Sequence, residues 1–161
     1  MLVSFQDLPD DARVWIYQSD RSFSIHEVKD ISNRLNTFLT SWTSHGDELK
    51  SAYEIKYSRF IIIGLNQNRN KASGCSIDSL VHLLLKFEDL FKVSLLDKLN
   101  VSYKHGAFVA HKNIEDFKKM VKAKSISKKT IVFNNLVQTK IEYLNHWEVP
   151  ASDSWHARFF I

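Results

Sequence analysis

Cys75, the only cysteine, sits in "NKASGCSIDSL", between a glycine and an apolar pattern of helical spacing. A thiol at a helix start faces the positive end of the helix dipole, which favours the nucleophilic thiolate. Nucleophilic catalysis also needs a base within hydrogen-bond reach. His82 lies seven residues on. That is about two turns along a helix at ~1.5 Å per residue, too far to serve. His45 belongs to another segment and reaches the thiol only if the fold brings it there. Asp78, if close, acts against the thiolate. Free cysteine is among the most buried residue types, so small packing at a tight corner is the commoner role and chemistry the alternative.

Two polar stretches, "SHGDE" and "NKASGC", border apolar elements. Together Ser44, His45, Lys71, Ser73, Cys75 and Ser76 offer the groups that a small anionic ligand at a helix start requires. Cys75, Ser76, His45 and Lys71 are the candidate ligand-binding residues. Two unrelated surface turns is the plainer alternative.

Other constellations carry less. Seven histidines invite a metal, yet no two stand three or four residues apart. Metal sites favour such tight spacing, or pairs of Cys and His. His105 and His111 flank a short strand and converge only weakly. "DSWH" (153–156) holds the residue types of a serine triad, but triads are assembled from separate segments. Packing of Trp155 against the sheet is the simpler role. Gly46, Gly64, Gly74 and Gly106 are isolated, so neither G-x-x-x-x-G-K-[ST] nor G-x-G-x-x-G exists. That rejects ATP hydrolysis by a P-loop. No cofactor and no metal is expected.

The elements that position these groups follow from periodicity. "RVWIYQS" (13–19) is an aromatic and β-branched strand. Ser24 and Glu27 have capping-box spacing. Val28, Ile31, Leu35, Phe38, Leu39 and Trp42 then form one apolar helical stripe, with Gly46 placed as a left-handed cap. "LKSAYEIKY" alternates as a half-solvated strand, and "RFIIIGL" is apolar on both faces, hence central, joined to it by a tight hairpin. "NQNRNKASG" is a loop. A second helix begins near Ser76, whose hydroxyl caps it, and buries Ile77, Leu80, Val81, Leu84, Phe87, Leu90 and Phe91. "NVSYKHGAFVAH" makes two strands around 104–106, "NIEDFKKMVKA" a helix capped by Asn113, and "TIVFNN" a last strand. From Leu136 a short helix and an irregular tail follow.

The order β-α-β-β-α-β predicts an α+β fold. It starts in the split βαβ, ferredoxin-like manner, with helices on one face of a mostly antiparallel sheet and C-terminal additions. The chain of 161 residues, 44% hydrophobic and 12% aromatic, suits a single domain spanning residues 1–161. The N-terminus lacks a signal-peptide pattern. The longest apolar run, near "FIIIGL", is far below the ~20 residues of a membrane helix. A soluble, cytoplasmic protein without membrane contact is expected.

The net charge of +4 is local: seven lysines between Lys112 and Lys129 face only Glu115 and Asp116. An anionic partner could meet that stretch. Ferredoxin-like sheets bind RNA through strand aromatics, and Trp15, Tyr17, Tyr53 and Tyr57 lie on strands. The aromatic octamer of the RNA-recognition domain is missing, since "RFIIIGLN" holds one ring. Nucleic acid is therefore disfavoured, and lysines on a solvated helix are ordinary.

"VWIYQSDRSFS", "FLTSWTSHGDELK", "SRFIII", "SGCSIDSLVHLL" and "NHWEVPASDSWHARFF" together resemble a small bacterial family of about this length. Its members often carry the label "ABC transporter ATPase". The resemblance spans nearly the whole chain and implies no catalytic residue. The sequence thus favours a non-catalytic binding or interaction module, met by an anionic small ligand or a protein partner. The alternative is a ligand-binding protein or enzyme using the thiol at Gly74–Cys75–Ser76.

Overall fold

A computed structural model describes residues Met1–Ile161. The fold is α+β, with antiparallel sheets and packed helices. It divides into two compact units, one of Met1–Leu96 with Gln138–Ile141 and one of Asp97–Val137 with Glu142–Ile161.

In the first unit, β1 (Arg13–Gln18), β4 (Ser51–Lys56) and β5 (Phe60–Leu65) form an antiparallel sheet in the order β1-β5-β4. β5 is central and buried at every position. Its register sets Trp15, Ile63 and Tyr53 in one row and Tyr17, Ile61 and Ile55 in the next. Helices α1 (Ile25–Thr40) and α2 (Gly74–Phe91) cover that face. Ile31, Leu35 and Leu39 of α1 and Leu80, Leu84 and Phe87 of α2 share one core with Ile61, Ile63 and Leu65. Period 3.6 on the helices thus meets period 2 on the strand. Phe5 and Leu8 lie over Gly64 on the opposite face.

The α1 capping box forms as the spacing predicts. Glu27 N–H donates to Ser24 Oγ at 3.1 Å, and Ser24 N–H to Glu27 at 2.9 Å. Gly46 does not cap this helix. α1 ends at Thr40, and a small hairpin of β2 (Thr43–Ser44) and β3 (Asp47–Glu48) follows. His45 and Gly46 make its two-residue turn, with φ of 53° and 86°. Such a turn needs positive φ at both central positions, and glycine supplies one without strain.

The second helix also starts earlier than its apolar stripe suggests. Ser73 is the cap, accepting from Ser76 N–H at 3.2 Å, and Ser76 returns a bond to Ser73 N–H at 2.7 Å. Ser76 is therefore the third helical residue, and Gly74–Cys75–Ser76 is the first helical turn rather than a loop corner. On the far side of β1, Val14 N–H donates to Gln138 O at 2.9 Å. Lys140, buried, donates to Leu8 O at 2.7 Å and Gln6 O at 3.1 Å.

The second unit holds a four-stranded sheet. Its strands are β6 (Asn100–His105), β7 (Phe108–Asn113), β8 (Ile131–Phe133) and β9 (Glu148–Pro150), in the order β7-β6-β8-β9. β6 pairs with β7 on one side and β8 on the other. Asn113 caps α3 (Ile114–Lys122) through Asp116 N–H at 2.8 Å. Phe117 of α3 enters a core with Val101, Tyr103, Ile126 and Val132. Beyond Leu136 the expected short helix is present, while the tail after it is regular where an irregular one was expected. The chain there forms α4 (Lys140–His146), β9 and two 3₁₀ helices at Ala151–Asp153 and Trp155–Phe160. Phe159 fixes the last of these on Phe117, with ring centroids 5.6 Å apart.

Candidate functional site

The first unit carries an open cleft of about 480 Å³. Its walls are Met1, Gly46, Asp47, Glu48, Lys50, Asn66, Arg69 and Asn70. Ligand sites commonly span ~300–1,000 Å³. Four short segments build it: Met1, the β2–β3 hairpin, Lys50 at the entry to β4, and the loop that leaves β5.

Hydrogen bonds hold these segments in register. Asn66 N–H donates to Lys50 O at 2.9 Å, tying the exit of β5 to the entry of β4. Asn70 Nδ2 donates to Glu48 O at 3.0 Å, pinning the loop to the hairpin. Asn68 N–H donates to Asn66 Oδ1 at 3.0 Å, a local turn set by an asparagine side chain. Below, Leu49 N–H reaches Trp42 O at 3.1 Å, and buried Trp42 donates its indole N–H to Ser76 O at 2.9 Å. The hairpin is thereby anchored to the first turn of α2.

The lining carries both signs of charge. Lys50 is half-buried and Arg69 exposed, so the cations lie at different depths. Asp47 and Glu48 on the hairpin supply carboxylates, and Asn66 and Asn70 supply amides. None of these four charged groups takes part in an ion pair. An arginine beside a lysine binds a carboxylate or phosphate, and a carboxylate pair accepts an ammonium. A zwitterion satisfies both.

None of the four residues singled out from sequence lines this cleft. His45 is exposed at the hairpin turn, next to Gly46, and Lys71 is exposed one residue after Asn70. Cys75 is exposed, not buried at a corner. Ser76 is buried, with its hydroxyl committed to Ser73. No hydrogen bond joins Cys75 to a histidine, and His82 is exposed further along α2. Asn70 of the second loop bonds to Glu48 of the hairpin, and the cleft wall uses Gly46, Asp47, Glu48 and Asn70 in place of those four. One signal was legible: Asn66, Asn68 and Asn70 alternate after a buried strand, and asparagine bonds to nearby backbone.

Elsewhere, Ser154 and His156 do pair, Oγ to Nδ1 at 2.7 Å. His156 is 1% exposed, and its pKa is pushed down to about 4 by burial and secondarily by Arg158. Trp155 stacks on it at 3.9 Å. Asp153 is exposed and bonds to neither. His105 pairs with Phe108 and His111 with Ser102, so the two histidines lie three ladder positions apart. No group of three or more His, Cys, Asp or Glu is placed to hold a metal ion. Trp15, Tyr17 and Tyr53 pack against the helix-covered core and form no open aromatic surface. No helix is long and apolar enough to cross a membrane. Compared with family models, curated proteins and solved structures, the chain matches none.

Proposed function

We propose that the chain is a non-catalytic binding module whose first unit takes a small polar ligand with an anionic and a cationic end. The observation that carries this reading is the cleft, where the hairpin tip and the loop after β5 are fastened together around opposed charges. Lys50 and Arg69 take the carboxylate or phosphate, and Asp47 and Glu48 take the ammonium. Preorganisation favours binding, because the walls are bonded before a ligand arrives. Membership of the bacterial family resembled in sequence, and a cytoplasmic location, belong to the same reading.

The test is an amide-proton NMR titration with glutamate, inorganic phosphate and a nucleoside monophosphate, each taken to millimolar concentration. Shifts confined to Gly46, Asp47, Asn66 and Asn70, lost in Arg69→Glu, support the reading. Unshifted amides there with all three probes overturn it. A second reading, a thiol-dependent ligand site or enzyme at Cys75, draws on the exposure of that thiol in the first turn of α2. Labelling with a thiol reagent across pH separates the two. A midpoint well below the reference of about 8.5 favours the thiol reading.

A further inference from the structure

The charge excess of the chain lies wholly in the second unit, with ten basic against six acidic side chains; the first unit holds twelve of each. Part of that excess has a local cause. Lys119 and Lys122 occupy the last turn of α3, where the helix dipole favours cations, and Lys118 pairs with Glu115 at 3.4 Å. Lys124, Lys128, Lys129 and Arg158 lie outside any α-helix, are exposed, and make no ion pair.

Two cations stand over rings of the segment Trp155–Phe160, and the turn that carries Lys128 and Lys129 is tied to the chain just before it. Lys118 Nζ stands 5.9 Å from the Phe159 ring centroid. Lys128 O accepts from Ser152 N–H at 3.0 Å, and Thr130 O from Ala151 N–H at 2.8 Å, which binds the lysine turn to the chain leading into Trp155. That turn is itself rigid: Ser127 N–H donates to Thr130 Oγ1 at 3.0 Å, and Lys129 N–H to Ser127 Oγ at 3.2 Å. The Arg158 guanidinium lies 5.5 Å from the Trp155 centroid, held by Nε donating to Trp155 O at 3.2 Å. Trp155 in turn rests on buried His156.

We propose that this face of the second unit binds single-stranded nucleic acid, with Lys128, Lys129 and Lys118 meeting phosphates and the Trp155–Arg158 pair stacking a base. A planar guanidinium set on an indole offers a flat surface to any base, and exposed lysines on a hydrogen-bonded turn can follow the backbone. Trp155, Phe159 and Phe160 are half-buried. They lie against the core instead of protruding, which suits stacking better than insertion into lipid. This surface lies outside the cleft and does not depend on it. Sequence spacing disfavoured nucleic acid because it tested the strands; the aromatics used here lie in the last 3₁₀ helix.

The test is fluorescence anisotropy of labelled oligouridylate and oligothymidylate over a salt series, on the full chain. Binding should weaken log-linearly with salt, and Lys128→Glu with Lys129→Glu should reduce the slope by about 1.4, at ~0.7 per phosphate contact on a single strand. Arg158→Lys keeps the charge but loses the plane. It should weaken binding about tenfold with the slope unchanged. Uridylate against thymidylate tells RNA from DNA. No binding at low salt overturns the proposal. So does equal affinity for heparin together with an Arg158→Lys variant that binds like the parent, since any polyanion then suffices. Lys118→Glu, on an exposed helix position, provides a second charge reversal if the double variant fails to fold, and should reduce the slope by about 0.7.

Discussion

Gly64→Ala probes how the sheet that feeds the cleft is held. Gly64 lies on β5 between Val14 and Ala52, two residues before Asn66 of the cleft wall. A Cβ at this position would stand 2.5 Å from Leu8 Cδ1 and 3.1 Å from Phe5 Cε2. Carbon atoms rest at about 3.5–4.0 Å, so the leucine methyl must retreat by about 1 Å and the ring by several tenths. Leu8 is 3% exposed and Phe5 6%, so neither can swing into solvent. Overpacking of this kind costs about 1–3 kcal/mol. Restricting the unfolded chain returns about 0.4–1 kcal/mol. The two ranges leave a net loss of up to about 2.6 kcal/mol, about 1.3 at their midpoints.

Urea unfolding followed by tryptophan fluorescence measures it, as a lower midpoint at unchanged slope. A cycle with Leu8→Ala then identifies the clash. Leu8→Ala alone leaves a cavity and costs about 2–5 kcal/mol. If Leu8 is the obstacle, the double variant is more stable than the sum of the singles by about 1–3 kcal/mol. Full additivity, or a Gly64→Ala protein more stable than the parent, would refute the close approach of the Phe5–Leu8 segment to β5.

Three further outcomes follow. Glu27 is held down to about 2 by its hydrogen bonds to Arg21, then by the Ser24 backbone. Its folded pKa is depressed, so the stability it adds is full above about 4.5 and is lost as pH falls through about 2; thermal melts of Glu27→Gln should lack that acid loss. His156, pushed down to about 4 by burial, stays neutral while the unfolded chain takes up a proton below 6.5, so stability declines from 6.5 toward 4. An imidazole NMR midpoint near 6.5 for this ring would contradict that. Cys75 is exposed, so an aromatic disulfide reagent should modify native protein stoichiometrically; reaction only on unfolding would contradict the exposure.

Much of the frame was written in local patterns. The apolar stripe Ile31–Leu35–Leu39, the Ser24–Glu27 box and the doubly apolar "RFIIIGL" each express one period, and each took its place. The errors came where two local signals competed. Ser73 and Ser76 are both good caps three residues apart, and the reciprocal bonds that make one the cap and the other its partner depend on backbone geometry. Gly46 suited a helix end or a hairpin turn equally, and the pairing of Thr43 with Glu48 decided. Sheet membership of β6 depends on long-range pairing that alternation does not encode. The cleft wall was missed for the same reason: Lys50 and Asn66 meet only because β4 and β5 pair in one register.

Charge separates the two surfaces chemically, and ionic strength can tell them apart. At physiological salt the Debye length is about 8 Å, so the exposed lysines of the second unit act on a polyanion as a sum of screened contacts that fades as salt rises. In the cleft, Lys50 and Arg69 work against Asp47 and Glu48 within a unit of zero net charge. A zwitterion held there gains from both signs at short range and releases no condensed counterions. Raising salt should therefore abolish oligonucleotide binding while leaving the cleft's ligand shifts largely in place. Parallel loss of both would mean that the cleft is only an electrostatic neighbourhood, without the positional selectivity that its bonded walls imply.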